Sequence, residues 1–185
     1  MKKLVAIILC LLSFNCMARE VEGVKVAENI TIGSDTLILN GAGIRSKFFV
    51  SVYVGSLYLQ RKVRSTAEVL AMPGAKRVSM HFLYDEVSKE KLIDGWNDGF
   101  EANNDEQGMV SLKSRLQEFN SLFQTVHKGD VVRLDYVPVS GTVVSMNNKK
   151  LGTIEGEDFY KAVLKVWLGE VPADYALKDA MLGED

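Results

Sequence analysis

The stretch LNGAGIRSKFFVSVYVGSLYL, residues 39–59, decides most of what the sequence says about the fold. Its second half is rich in Val, Phe and Tyr, which fit the pleated surface of a β-sheet. Its first half places Arg45 two residues after Gly43, where a glycine lets the backbone bend or another group approach closely. An arginine beside so apolar a strand is either a surface cation or a buried charge that pairs with an anion.

The glycines of this stretch begin like a dinucleotide-binding loop, but the pattern fails at two points. The sixth position of GAGIRS is Ser46 rather than glycine. A β-type run follows where that loop requires a helix, so no helix N-terminus is available for a pyrophosphate. We therefore exclude a nucleotide site here.

Outward from this stretch, strand-forming and helical patterns come in separate blocks. The N-terminal third and the segments KRVSMHFLY, DVVRLDYVPV and TVVSM are predicted strands. Leu92, Trp96 and Phe100 recur at helical spacing, and further apolar stripes run over residues 112–126 and 159–167. Strands and helices that alternate in blocks, without βαβ units, predict an α+β fold in which helices pack on one face of an antiparallel sheet.

The N-terminus has the pattern of a secretory signal peptide. Lys2 and Lys3 precede an apolar run over residues 4–12, which is too short to span a bilayer, and small residues end at Ala18. We expect cleavage after Ala18. Both cysteines, Cys10 and Cys16, would leave with the signal, and one domain, residues 19–185, would remain in the periplasm.

Composition and charge exclude several classes of function. The chain has 22 basic and 24 acidic residues, and its net charge of −2 does not favour nucleic acid or an anionic membrane surface as a partner. No segment after the N-terminal one is predicted to span a membrane. His81 and His127 have no second histidine at metal-binding spacing, so we expect neither a metal nor a cofactor. Asp94 and Asp98, one helical turn apart, are predicted to lie on a solvated face.

Two segments, residues 39–59 and FYKAVLKVWLGEVPADYALKDAMLG, resemble the start and end of the chalcone isomerase-like superfamily, in particular its bacterial secreted members. The resemblance covers the mature chain and implies an open-faced β-sandwich. It also implies one of two activities, the cyclisation of chalcones or the binding of fatty acids. Arg45 matches an arginine common to both groups. Tyr53 matches a position that is tyrosine in the fatty-acid binders and threonine in the isomerases.

The sequence departs from the isomerase pattern at three further positions. The isomerase tyrosine matches a position near Ser88, its asparagine a position near Gly95, and a hydroxyl residue of the last long helix matches Val166. Isomerase catalysis relies on orienting the substrate and stabilising charge, so the loss of these donors argues against it. We therefore expect a non-catalytic protein that holds a fatty acid or similar amphipathic carboxylate between sheet and helices, with Arg45 and Tyr53 on the carboxylate.

Two alternatives remain open at this point. One is a chalcone isomerase-type intramolecular lyase acting on a small phenolic or enone substrate. The other is an interaction protein of the cell envelope with a filled core. Possible further contacts in the cleft are Tyr58, whose hydroxyl follows on the same strand as Tyr53, and Ser88 and Val166.

Overall fold

The computed structural model describes residues 18–184, so the predicted signal peptide lies almost entirely outside the described residues. The described chain forms eleven strands and five helices. The strands are β1 (Ala18–Val21), β2 (Val24–Ala27), β3 (Asn29–Ile32), β4 (Asp35–Lys47), β5 (Val50–Leu59), β6 (Lys76–Phe82), β7 (Glu86–Val87), β8 (Val126–His127), β9 (Val131–Val137), β10 (Gly141–Met146) and β11 (Lys149–Ile154). The helices are α1 (Thr66–Ala71), α2 (Lys89–Asn103), α3 (Glu106–Ser121), α4 (Glu157–Leu168) and α5 (Tyr175–Met181).

Seven of the described strands form one sheet in the order β11-β10-β9-β6-β5-β4-β3. Every neighbouring pair in this sheet is antiparallel. Strands β1 and β2 form a separate hairpin, and β7 and β8 form a short pair. The predicted α+β class with an antiparallel sheet is therefore confirmed.

The two faces of the sheet carry different hydrophobic clusters. The helices cover one face and bury an aromatic layer that includes Trp96, Phe119 and Trp167. The opposite face carries a smaller cluster, in which Val24 and Val26 of β2 belong with residues of β4 and β5. The helices thus pack on one face, as predicted, and the N-terminal hairpin contributes to the cluster on the other.

The helical stripes are confirmed in part. Leu92, Trp96 and Phe100 form the buried side of α2. The second stripe was predicted to continue to residue 126, but α3 ends at Ser121 and Val126 lies in β8. After Ser121 the chain turns back and β8 pairs with β7. The buried residues of this segment continue the spacing of the stripe, but they are not part of a helix.

Candidate functional site

Arg45 reaches the helix-covered face of the sheet because of a β-bulge in β4. Leu39 and Gly41 are both paired with β5, whereas Asn40 between them has no partner. Side chains alternate between the two faces along a strand, and an extra residue shifts that alternation by one position. Before the bulge, Leu39 belongs to the smaller cluster, and after it Arg45 pairs with Tyr53 of the main core.

The bulge is fixed by the side chain of Asn40, which is buried. Its amide nitrogen donates hydrogen bonds to the carbonyls of Val63, at 3.0 Å, and Met181, at 2.7 Å. Its carbonyl oxygen accepts one from the Val63 N–H at 2.8 Å. These bonds connect β4 to the end of α5 and to the segment before α1, so the register that orients Arg45 is held from both sides.

The glycines before Arg45 make room for helix α5. A Cβ at Gly43 would lie 2.6 Å from the Cβ of Ala180, and a Cβ at Gly41 would collide with the Ala180 carbonyl. The sequence predicted that Gly43 lets another group approach closely, and the structure shows that this group is α5. The two segments that carry the family resemblance therefore contact each other.

A cleft of about 750 Å³ lies between this end of the sheet and helices α2 and α4. Its volume is within the range of about 300–1,000 Å³ that is usual for small-molecule sites. Apolar side chains supply much of its wall, among them Val52, Met80, Phe82, Leu92, Trp96, Val166 and Trp167. Arg45 and Tyr53 lie in the same cleft, so the structure brings the two principal predicted residues together.

The guanidinium of Arg45 lies against Tyr53, with its Cζ 5.7 Å from the ring centroid. Among residues 18–184 it has no hydrogen-bond or ion-pair partner. The carboxylate of Asp174, which acts on Tyr53 electrostatically, accepts the backbone N–H groups of Ser46 and Leu177, each at 3.0 Å. The five N–H donors of Arg45 therefore remain free to bind an anion.

Tyr53 is held by Trp167, whose indole N–H donates to the phenol oxygen at 2.8 Å. Burial raises the pKa of Tyr53 above its ordinary value of 10.0, and the charge of Arg45 and the bond from Trp167 partly oppose this shift. The phenol is therefore neutral at physiological pH. Its own proton has no acceptor within the described part of the chain and can be donated into the cleft.

Trp96 is a candidate site residue that the sequence did not reveal. Its ring lines the cleft, and its buried indole N–H has no hydrogen-bond partner in the part of the chain that the structure describes. The ring packs edge-on against Trp167 and Phe119, with centroids 5.6 Å and 5.3 Å apart. Helical spacing predicted its burial, but no sequence signal shows that a buried ring also borders a cavity.

The mouth of the cleft carries balanced charge. Its basic residues are Arg45, Lys47 and Lys91, and its acidic residues are Glu86, Asp94 and Asp98. Asp94 and Asp98 are exposed to solvent, which confirms that they lie on a solvated face.

The structure places the three secondary candidates differently. Val166 lines the cleft, but Tyr58 and Ser88 do not. Tyr58 lies five residues after Tyr53, and an odd separation puts it on the opposite face of the strand, where it is buried in the smaller cluster. Ser88 is the N-cap of α2, and its hydroxyl accepts the N–H of Lys91 at 3.4 Å.

The polar groups of the isomerase pattern are missing from the cleft. Of the residues between 18 and 184, no Ser, Thr, Asn, Gln or His is among those that line it. At Gly95, near the position that matches the isomerase asparagine, an added Cβ would meet no atom within 4 Å. The described side chains with donors that line the cleft include Arg45, Tyr53 and Trp96, with Lys47, Lys91 and Tyr84 towards its mouth.

A metal site and a membrane-spanning helix are both absent from the described residues. No group of three or more His, Cys, Asp or Glu side chains there is placed to hold a metal ion. No helix there is long and apolar enough to cross a membrane.

Comparison with known proteins identifies the family. The sequence profile of the chalcone isomerase-like family matches residues 18–183, and the chain therefore belongs to that family. Among solved structures, the chain is similar to a fatty-acid binding protein of Arabidopsis thaliana, with a TM-score of 0.67 and 14% sequence identity. The match covers 88% of this chain and 95% of the other, and it establishes a shared fold. No curated protein sequence matches the chain.

Proposed function

We propose that this protein binds a fatty acid or a similar amphipathic carboxylate in the cleft and does not transform it. The observation that carries the proposal is the guanidinium of Arg45, which has no polar partner among the described residues although it borders an apolar cleft. A carboxylate fits this guanidinium, because Arg presents its donors in a planar fork. The fatty-acid binding protein with the same fold supports this class of ligand.

The two ends of such a ligand would make different contacts. The carboxylate would accept hydrogen bonds from Arg45 and from the phenol of Tyr53. The acyl chain would lie along the apolar wall that includes Met80, Phe82 and Trp96, where each buried methylene contributes about 0.8 kcal/mol. Affinity would therefore rise with chain length, while Arg45 would set the orientation of the ligand.

The test compares a fatty acid with its methyl ester, using Arg45→Met and, as a matched control, Lys91→Met. Both variants remove one cation from the cleft mouth. Hydrogen bonds to charged groups contribute about 1.5–3 kcal/mol, so Arg45→Met should weaken fatty-acid binding about 10- to 100-fold. Binding of the ester should change little in either variant. Calorimetric titration and lipid extraction of the purified domain provide the measurements.

The proposal would be refuted if Arg45→Met bound fatty acid as tightly as the unmodified protein and the extract contained no lipid. A panel of chalcones provides the enzymatic comparison. A change in absorbance that depends on Arg45 would instead establish isomerase activity, for which the lining residues offer no support.

We also propose that the chain is secreted to the periplasm and that residues 1–18 are removed. The supporting observations are the basic and apolar N-terminal pattern and the family match, which begins at residue 18. Cell fractionation and N-terminal sequencing of the mature protein test this. An intact N-terminus at Met1 would contradict it.

A further inference from the structure

The tip of the β4–β5 hairpin carries two phenylalanines where the backbone disfavours them. Lys47 pairs with Val50, so Phe48 and Phe49 alone make the turn, with φ angles of 50° and 65°. Two-residue turns with positive φ at both positions prefer Asn and Gly, and bulky residues avoid this region. Phe48 is 85% exposed and Phe49 fully exposed. Within the described residues, Lys47 contacts one of these rings, with its Nζ 5.9 Å from the centroid of Phe48, so neither the turn geometry nor burial in the core accounts for two phenylalanines here.

The hairpin tip borders the mouth of the cleft. Eight large apolar side chains are exposed between residues 19 and 184, and four of them line this cleft: Phe48, Val50, Tyr84 and Val171. Phe49 adjoins Phe48 at the tip. The mouth of the cleft therefore carries exposed apolar side chains beside its charged residues; together these apolar side chains form the rim.

The area and charge of this rim indicate which partner it fits. Phe48 and Phe49 are the most exposed apolar side chains of the rim and would bury about 150–250 Å² each, so the projecting tip alone offers well below the roughly 800 Å² per partner of a stable protein interface. A bilayer requires no complementary pocket, because apolar side chains enter the boundary between headgroups and acyl chains. The three basic and three acidic residues of the mouth match the mixed charge of zwitterionic headgroups.

We propose that the Phe48–Phe49 tip docks the cleft mouth on a phospholipid bilayer. The two rings enter the acyl boundary, and Lys47 lies at the level of the phosphates. An amphipathic ligand then passes between bilayer and cleft without crossing water. The docking itself is independent of the ligand assigned to the cleft.

The test is flotation with phosphatidylcholine vesicles, using the chain from Ala18 onward, which contains every described strand and helix. The test variant carries Phe48→Asn and Phe49→Gly, residues that suit the turn, so impaired folding would not explain a loss of binding. The control is Val139→Gly. Val139 is also apolar, fully exposed and at positive φ, but it follows β9 at the opposite end of the sheet.

We expect the unmodified domain and Val139→Gly to float with the vesicles. The double variant should lose about 100-fold in partitioning, about tenfold or more for each ring. Its urea-unfolding midpoint should be no lower than that of the unmodified domain, and flotation is measured without added fatty acid, which separates this proposal from the proposed ligand. Equal flotation of the double variant, or no flotation of the unmodified domain, would overturn the proposal. A dimer seen by light scattering in the unmodified domain and in Val139→Gly, but not in the double variant, would also overturn it, because the tip would then bind a second copy of the chain.

Discussion

Gly95 offers a direct test of the cleft, because it lines the cavity from within helix α2. A Cβ added there would meet no atom within 4 Å. Glycine is about 0.8–1.0 kcal/mol less favourable than alanine inside a helix, so Gly95→Ala should raise the free energy of unfolding by about 1 kcal/mol. For a domain of this size, that corresponds to a melting temperature about 2–4 °C higher. Urea and thermal unfolding measure both quantities.

A larger residue at the same position should block the ligand. The side chain of Gly95→Leu would occupy space that the acyl chain would otherwise fill. Displacing two or three methylenes costs about 2 kcal/mol, or about 30-fold in affinity, while the fold should remain as stable as in the unmodified protein. Undiminished fatty-acid binding by Gly95→Leu would show that the ligand does not use this cleft.

Gly99 provides the contrast one helical turn later. A Cβ there would lie 2.8 Å from a methyl carbon of Val166, so Gly99→Ala overpacks the contact between α2 and α4. Overpacking costs about 1–3 kcal/mol, which outweighs the gain of about 1 kcal/mol in helix propensity. If both alanine variants stabilised the protein equally, the close packing of α2 against Val166 would be refuted.

Three further predictions concern stability. Tyr53→Phe removes the acceptor of the buried Trp167 N–H and should cost about 1–3 kcal/mol in urea unfolding, in addition to weakening fatty-acid binding; an unchanged midpoint would contradict the bond. Asn40→Ala leaves backbone groups of Val63 and Met181 without partners and should cost about 2–4 kcal/mol, with loss of ligand affinity as the bulge relaxes. The hydrogen bonds from Arg115 lower the pKa of Asp158 below its ordinary value of 3.8. The pair with Arg115 therefore adds to the free energy of unfolding above pH 3.8, and this stabilisation is lost as the pH falls through the pKa of Asp158 in the folded protein. Because Asp158 is exposed, Asp158→Asn should cost only about 0.5–1 kcal/mol at pH 7, and a difference from the unmodified protein that persisted at pH 2 would argue against this ion pair.

Periodicity and resemblance together predicted the class of fold. The β-type run over residues 39–59 and the spacing of Leu92, Trp96 and Phe100 predict which side chains are buried. Buried side chains lie on the faces where sheet and helices pack together, so these patterns also predict the layers of the fold. The resemblance selected Arg45 and Tyr53, and the structure places both in one cleft.

The misplaced residues share a physical cause, which is that side-chain direction depends on register. Tyr58 was grouped with Tyr53 because both carry hydroxyls on one strand, but an odd separation sends them to opposite faces. The sequence showed that Gly43 allows a close approach, but only the packing of distant α5 shows which group uses that space. The bulge at Asn40 depends on partners more than 20 and 140 residues away, so no local pattern reveals it.

The bulge at Asn40 also bears on how this fold tolerates changes of length. Deleting one residue between Asn40 and Arg45 would turn the guanidinium towards the face of the smaller cluster, away from Tyr53 and the cleft. Every residue type needed for binding would still be present in such a chain. We therefore predict that insertions and deletions in strand β4 damage the proposed ligand binding more than most substitutions do, because the number of residues before Arg45 sets the face on which its side chain lies.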